Sequence, residues 1–187
     1  MTLTWNHTNE IASGIGATHE DDLGLTRFGR EVVSEMNELG IIIDISHISY
    51  KSFWDVCEIS SAPIVASHSN AKSICNNRRN LDDDHIKAIA NSGGIIGINF
   101  YPPFLTEDEE ASIEDILKHI DFIAGLVGID YIGFGSDFDG IEITPRDVHG
   151  PEGFEKIIER LLRLNYSEDH VKKICSGNMM RALKSTL

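Results

Sequence analysis

The sequence is poor in cysteine, in positive charge and in long apolar runs, and each shortage removes a class of protein. Its three cysteines, Cys57, Cys75 and Cys175, are widely spaced and form no Cys-x-x-Cys pair. Neither a disulfide framework nor a thiolate zinc site is indicated, and a reduced, cytoplasmic setting is the expectation. Lys and Arg number 16 against 30 Asp and Glu, a formal charge of -14. That balance argues against nucleic acid or an anionic membrane as partner, and it is compatible with binding cations. No apolar run approaches the ~20 residues that cross a bilayer, and the opening MTLTWNHTNE has neither the basic nor the apolar part of a signal peptide. A chain of 187 residues has the length of one ordinary domain with a real core. With no repeat and no internal linker in view, residues 1–187 are read as a single domain.

What is present is organised around Ile41 to Asn70. Two apolar runs, Ile41 to Ile45 and Pro63 to Ala66, each end in Ser-His, and a helix-length segment separates them. Parallel strands joined by a crossover helix finish at the same edge of a sheet, so His47 and His68 should emerge side by side. Two neutral imidazoles presented there are a natural half of a metal site. Asp44 falls between Ile43 and Ile45 in the strand alternation and is read as a hydrogen-bonding support.

The rest of the chain repeats strand then helix. Met1 to Trp5 alternates as a strand would, and Asn6 to Asp22 reads as a long loop. Thr26 caps a helix to about Leu39, closed by Gly40; Ser49 caps the next, and Asp82 to Asp84 start a third. Ile95 to Phe100 is a further strand, followed by an acidic loop opened by Pro102 and Pro103. Ser112 and Asp115 form a capping-box-like pair for a helix with a continuous apolar face. Tyr131 to Ser136 is the last strand, and the final helical pair breaks near Gly177. Near-continuous apolar strands indicate a parallel sheet covered on both faces, either doubly wound or part of an eight-stranded barrel. His47, His68, the Arg78–Arg79 pair and Asp137 all follow strand ends, and a barrel mouth gathers such ends better than an open sheet.

The runs IDISHIS, ASHSNAKSICNNRRNLDDD and GFGSDFDG, in this order and spacing, closely resemble the renal (membrane) dipeptidase family of zinc metallopeptidases. The resemblance covers essentially the whole chain and corresponds to the C-terminal portion of the family. It implies an α/β fold that is the C-terminal part of a (β/α)8 TIM-type barrel, with about five parallel strands and the first strands missing. It implies a metallodipeptidase that hydrolyses dipeptides by metal-activated water. His47 and His68 then match two ligands of one zinc, Arg79 matches a substrate-binding arginine, and Asp137 matches an aspartate near the substrate with a proton-transfer role.

Departures from the family pattern are equally specific. The intact family holds two zinc ions, and its His-x-Asp motif and bridging glutamate have no counterpart here, so ligands for only one ion are partly present. His19 with Asp21 and His119 with Asp121 have the spacing, but one lies in a polar loop and the other within an amphipathic helix. The family's Thr-Leu-Thr-His aligns with Thr2 to Trp5, which leaves His7, two residues on, as the substitute substrate contact, with Trp5 an alternative pocket residue. The expectation is a truncated or split dipeptidase acting with a separate N-terminal half or as a homodimer. The alternative is a catalytically inactive fragment or a noncatalytic binding module that retains the fold.

Overall fold

The computed structural model describes residues 1–187. Helix boundaries fall where local chemistry puts them. Thr26 accepts a hydrogen bond from Gly29 N (2.9 Å) to open α1 (Arg27–Glu38), and Gly40 leaves it with φ 66°. Ser49 opens α2 (Tyr50–Ile59) in the same way through Ser52 N. Asp82 begins α3 (Asp83–Asn91) in a capping box completed by His85 rather than by the usual Glu or Gln. The short helix α4 (Pro102–Leu105) replaces the loop expected after Phe100. Proline at the first helical positions has no lost hydrogen bond to regret, so the Pro pair starts a turn of helix instead of preventing one.

Ser112 and Asp115 form the expected capping box of α5 (Ile113–Val127). There follow α6 (Phe154–Arg163), α7 (Glu168–Lys172) and α8 (Asn178–Thr186). The last two are not separated at Gly177; a π turn over Lys173–Gly177 carries one into the other, with Gly177 itself helical. No helix is long and apolar enough to cross a membrane.

Between these helices run β1 (Ile43–Asp44), β2 (Ile64–Ala66), β3 (Ile95–Asn99) and β4 (Ile132–Ser136), all parallel and in the order β1-β2-β3-β4. The expected fifth strand at the chain's start is reduced to one parallel bridge, Thr2 with Asp44. Asn9 donates its side-chain amide to Leu3 O (2.9 Å), capping the backbone that a longer ladder would use.

Alternation decides what each strand face meets. Ile64, Ala66, Ile96 and Ile98 are fully or nearly fully buried in the main core, whereas Val65 and Ile95 pack with Ala182 of α8 on the opposite face. Helices thus cover both faces of an arc of strands whose C-terminal ends share one rim, where the two Ser-His pairs and Asp137 lie.

Backbone packing at this rim leaves no space for some side chains. A Cβ on Gly97 would sit 2.1 Å from Ser67 O and 3.0 Å from Gly135 Cα. Gly97→Ala is therefore expected to destabilise the fold by about 2–3 kcal/mol, because backbone rather than a flexible side chain must yield. Urea denaturation of the variant beside the parent checks this.

Candidate metal and substrate site

His47 and His68 meet as the sequence led us to expect. Their rings lie 4.9 Å apart between centroids, and the two Nε2 atoms face each other at 2.8 Å. What holds each ring decides the chemistry of that pair. Ser67 Oγ gives its hydrogen to Asp44 Oδ2 (2.6 Å), so it can only accept from His68 Nδ1 (2.8 Å). The amide oxygen of Asn6 accepts from His47 Nδ1 (2.9 Å). Both rings then carry their proton on Nδ1, and both Nε2 atoms present a lone pair to the other. Two lone pairs at this separation repel unless a cation lies between them. Protonation is a poor remedy: burial, the largest cause for each ring, holds both imidazoles below the ordinary histidine pKa, with Arg79 adding to it at His47 and Asp137 partly offsetting it at His68. The donor set therefore fits a metal ion that takes imidazole nitrogen.

Beneath the pair lies Asp44, 8 % exposed, which accepts from Ser46 N, Ser67 N, Ser67 Oγ and Thr2 Oγ1. Burial opposes its ionisation, but the hydrogen bonds from Ser67, Ser46 and Thr2 outweigh it and hold the carboxyl below the usual carboxylate value. Asp44 thus fixes the direction of the Ser67 hydroxyl, and through it the tautomer of His68. Asp44→Ala is expected to leave Ser67 free to donate to His68 Nδ1, weakening metal binding about 10- to 100-fold and stability by about 2–4 kcal/mol. Metal titration and denaturant melts of the same variant measure the two effects.

The arginine pair divides by exposure. Arg78 is exposed and donates to Ala17 O (3.0 Å), while Arg79 is 8 % exposed, donates to His68 O (3.3 Å) and stacks over Phe104. Burial pushes the Arg79 pKa down to about 10, with Asp137 and Asp44 opposing, so the guanidinium stays charged at neutral pH. Asp137 accepts from Asn99 Nδ2 (3.0 Å), and Asn99 in turn is fixed by Asn70 Oδ1 and Tyr101 N. Gly140 makes room for it, since a Cβ there would lie 2.3 Å from Asp137 Oδ1.

Strain gathers at the same rim. Four residues other than glycine have positive φ, and three of them are His47 (67°), Ser136 (27°) and Asp137 (75°). Such conformations cost about 1–3 kcal/mol each and persist where the surroundings impose them, commonly at functional sites.

The remaining candidate histidines do not touch the pair, although His19 lines the same cavity as His47 and Arg79. His7 is exposed on the opening loop; Trp5 and Asn6 are the residues placed against His47, the Trp5 ring 6.4 Å from the imidazole. His19 and Asp21 are exposed in a loop, and Asp21 pairs with Thr18. His119 is fully buried in α5, accepting from Ala71 N (3.1 Å) and donating to Leu105 O (3.0 Å), so both its nitrogens are used. No group of three or more His, Cys, Asp or Glu side chains is placed to hold a metal ion. Asn6, Ser67 and Asn99 were missed from the sequence. Ser67 alone left a signal, the repeated Ser-His at two strand ends.

Comparisons with known proteins bear on the family and the fold. The model of the membrane dipeptidase family, peptidase family M19, matches residues 1–186. A metallo peptidase from Rhodobacter sphaeroides, solved with a phosphinate mimic of the dipeptide L-Ala-D-Ala, is 33% identical. It superposes with a TM-score of 0.93 over 100% of this chain and 55% of its own. An amidohydrolase from Pseudomonas aeruginosa is 28% identical with a TM-score of 0.90, over 99% of this chain and 63% of that one. An uncharacterised protein in the pqqA 5′ region of Klebsiella pneumoniae is 34% identical over 189 residues, 97% of this chain and 69% of that protein. The chain thus spans somewhat more than half the length of these solved relatives. The arc of parallel strands is a portion of the TIM-barrel-like fold of those structures, and the chain belongs to the membrane dipeptidase family of metallopeptidases.

Proposed function

We propose that this chain provides the histidine pair and the substrate-holding groups of a zinc-dependent dipeptidase, as one domain over residues 1–187. The remaining metal ligands come from outside these residues, from a separate N-terminal half or a second copy of the chain. The observation that carries the reading is the pair of Nε2 atoms of His47 and His68 facing each other at 2.8 Å, on rings whose Nδ1 atoms are engaged by Asn6 and Ser67. Imidazole nitrogens in a reduced protein without paired thiolates suit zinc. When bound, zinc supplies Lewis acidity and a water whose pKa falls toward ~7.

The chain's own residues then bind and orient the dipeptide. Arg79, buried and charged, offers a planar fork to the free C-terminal carboxylate. Asp137, with one oxygen held by Asn99, is free to take the substrate's ammonium at the other or to pass a proton to the leaving amine. Holding both termini limits substrates to about two residues. His7 is the substitute substrate contact on the opening loop, with Trp5 beside His47 as its alternative.

Reconstitution tests this. The chain is mixed with a folded polypeptide bearing the missing ligands, and zinc-dependent cleavage of a dipeptide is followed. Hydrolysis by the mixture and by neither part alone is the expected result; no hydrolysis by a complex that forms and binds zinc would sink it. A noncatalytic or inactive form of the fold is the second reading, favoured by the lack of any three-residue ligand group within this chain. It is distinguished by a chain whose thermal stability is unchanged by zinc.

A further inference from the structure

A cavity of about 860 Å³ opens beside the histidine pair, within the ~300–1,000 Å³ range of sites that take small molecules. Its wall includes His47 and Arg79, and also Tyr50, Phe53 and Trp54 from α2. These aromatic rings pack edge-on to one another, with Phe53 and Trp54 centroids 5.1 Å apart. Ser69, Asn80 and His85 complete the polar part of that wall. Apolar rings beside a buried guanidinium suit a carboxylate carried on an aromatic body.

We propose that this cavity receives the side chain of the substrate's C-terminal residue, and that this residue is large and aromatic. The inference rests on the reading of Arg79 as the carboxylate site. Its direction comes from which groups share the wall: Arg79, the partner of the carboxylate, lines the cavity, whereas Asp137, the partner of the ammonium, does not. The Cα next to the carboxylate is therefore the one whose side chain reaches the α2 rings. The N-terminal residue is held on the side of Asp137, away from them.

Trp54 makes the test independent of catalysis. The chain has two tryptophans, and Trp5→Phe leaves Trp54 as the sole indole reporter on the cavity wall; because Trp5 is the alternative substrate contact, the calorimetric titrations are repeated on the parent chain. Gly-Phe, Phe-Gly and Gly-Gly are titrated into this variant, by Trp54 emission and by calorimetry. Burial of the benzyl group predicts that Gly-Phe binds on the order of 10- to 100-fold more tightly than the other two and alone shifts the emission saturably. Ala17→Phe, which narrows the cavity from a surface loop, should remove that advantage while leaving Gly-Gly binding unchanged. Equal binding of the three dipeptides with unchanged emission would overturn the cavity assignment and leave the carboxylate reading of Arg79 intact. Absence of binding by any dipeptide to the folded chain would overturn both.

Discussion

His68→Ala is expected to lower zinc affinity on the order of 100-fold or more, and His47→Ala to do the same, with the fold retained in each. The reason lies in the pair rather than in either ring. Each Nε2 has its lone pair fixed by the hydrogen bond that the opposite nitrogen of its ring donates, to Asn6 for His47 and to Ser67 for His68. Removing one ring leaves a single neutral imidazole, which any surface histidine could offer. Loss of a supporting hydrogen bond typically weakens a metal site 10- to 100-fold, and loss of a ligand should exceed that. Both histidines are partly exposed at the rim, so a truncated side chain leaves little void and stability should change by less than about 1.5 kcal/mol. Zinc titration in competition with a chelator dye, beside circular dichroism of each variant, separates the two effects. Tight zinc binding that survives both substitutions would place the metal elsewhere.

Acid should destabilise the chain strongly, and His119 should carry a large share of the loss. Burial pushes its pKa down to about 4 from 6.5, with Leu105 O opposing. A histidine depressed in the folded state gives stability that is whole above the unfolded value and is lost as pH falls. The window here runs from about 6.5 to about 4, and that interval corresponds to about 3 kcal/mol. The structural cause is that protonation would remove the acceptor of the Ala71 amide. Ala71 bridges Leu81, two residues beyond Arg79, so the contact also helps to fix the buried arginine. His119→Ala is expected to cost about 3–5 kcal/mol at pH 7.5, through unpaired groups at Ala71 and Leu105 and the void left behind. The difference from the parent should shrink by about 3 kcal/mol at pH 4. Urea melts across this range test it, and a pH-independent difference would contradict it.

The legible parts of this protein were those written in local pattern. Strand ends marked by Ser-His, the caps at Thr26, Ser49 and Ser112, and the alternation around Asp44 all follow from side-chain periodicity and short-range hydrogen bonding. What escaped depends on distant residues. Asn6 reaches His47 across 41 positions, and Asn99 reaches Asp137 across 38; a loop asparagine carries no sign of such a partner. His119 looked like one helix residue among others because its partners, Ala71 and Leu105, come from two other segments. The Pro pair reads as the opening of an acidic loop, whereas its position at a helix start makes it an initiator. The cavity beside α2 had no signature, since aromatic residues on a helix read equally well as core.

The most direct test of the central claim is X-ray absorption at the zinc edge of the chain loaded with one equivalent of zinc. Two imidazole nitrogens at ~2.0–2.1 Å are expected, their multiple-scattering signal halved in His47→Ala or His68→Ala, with the other ligands oxygen. A sulfur shell at ~2.3 Å, or an imidazole signal indifferent to both substitutions, would contradict it.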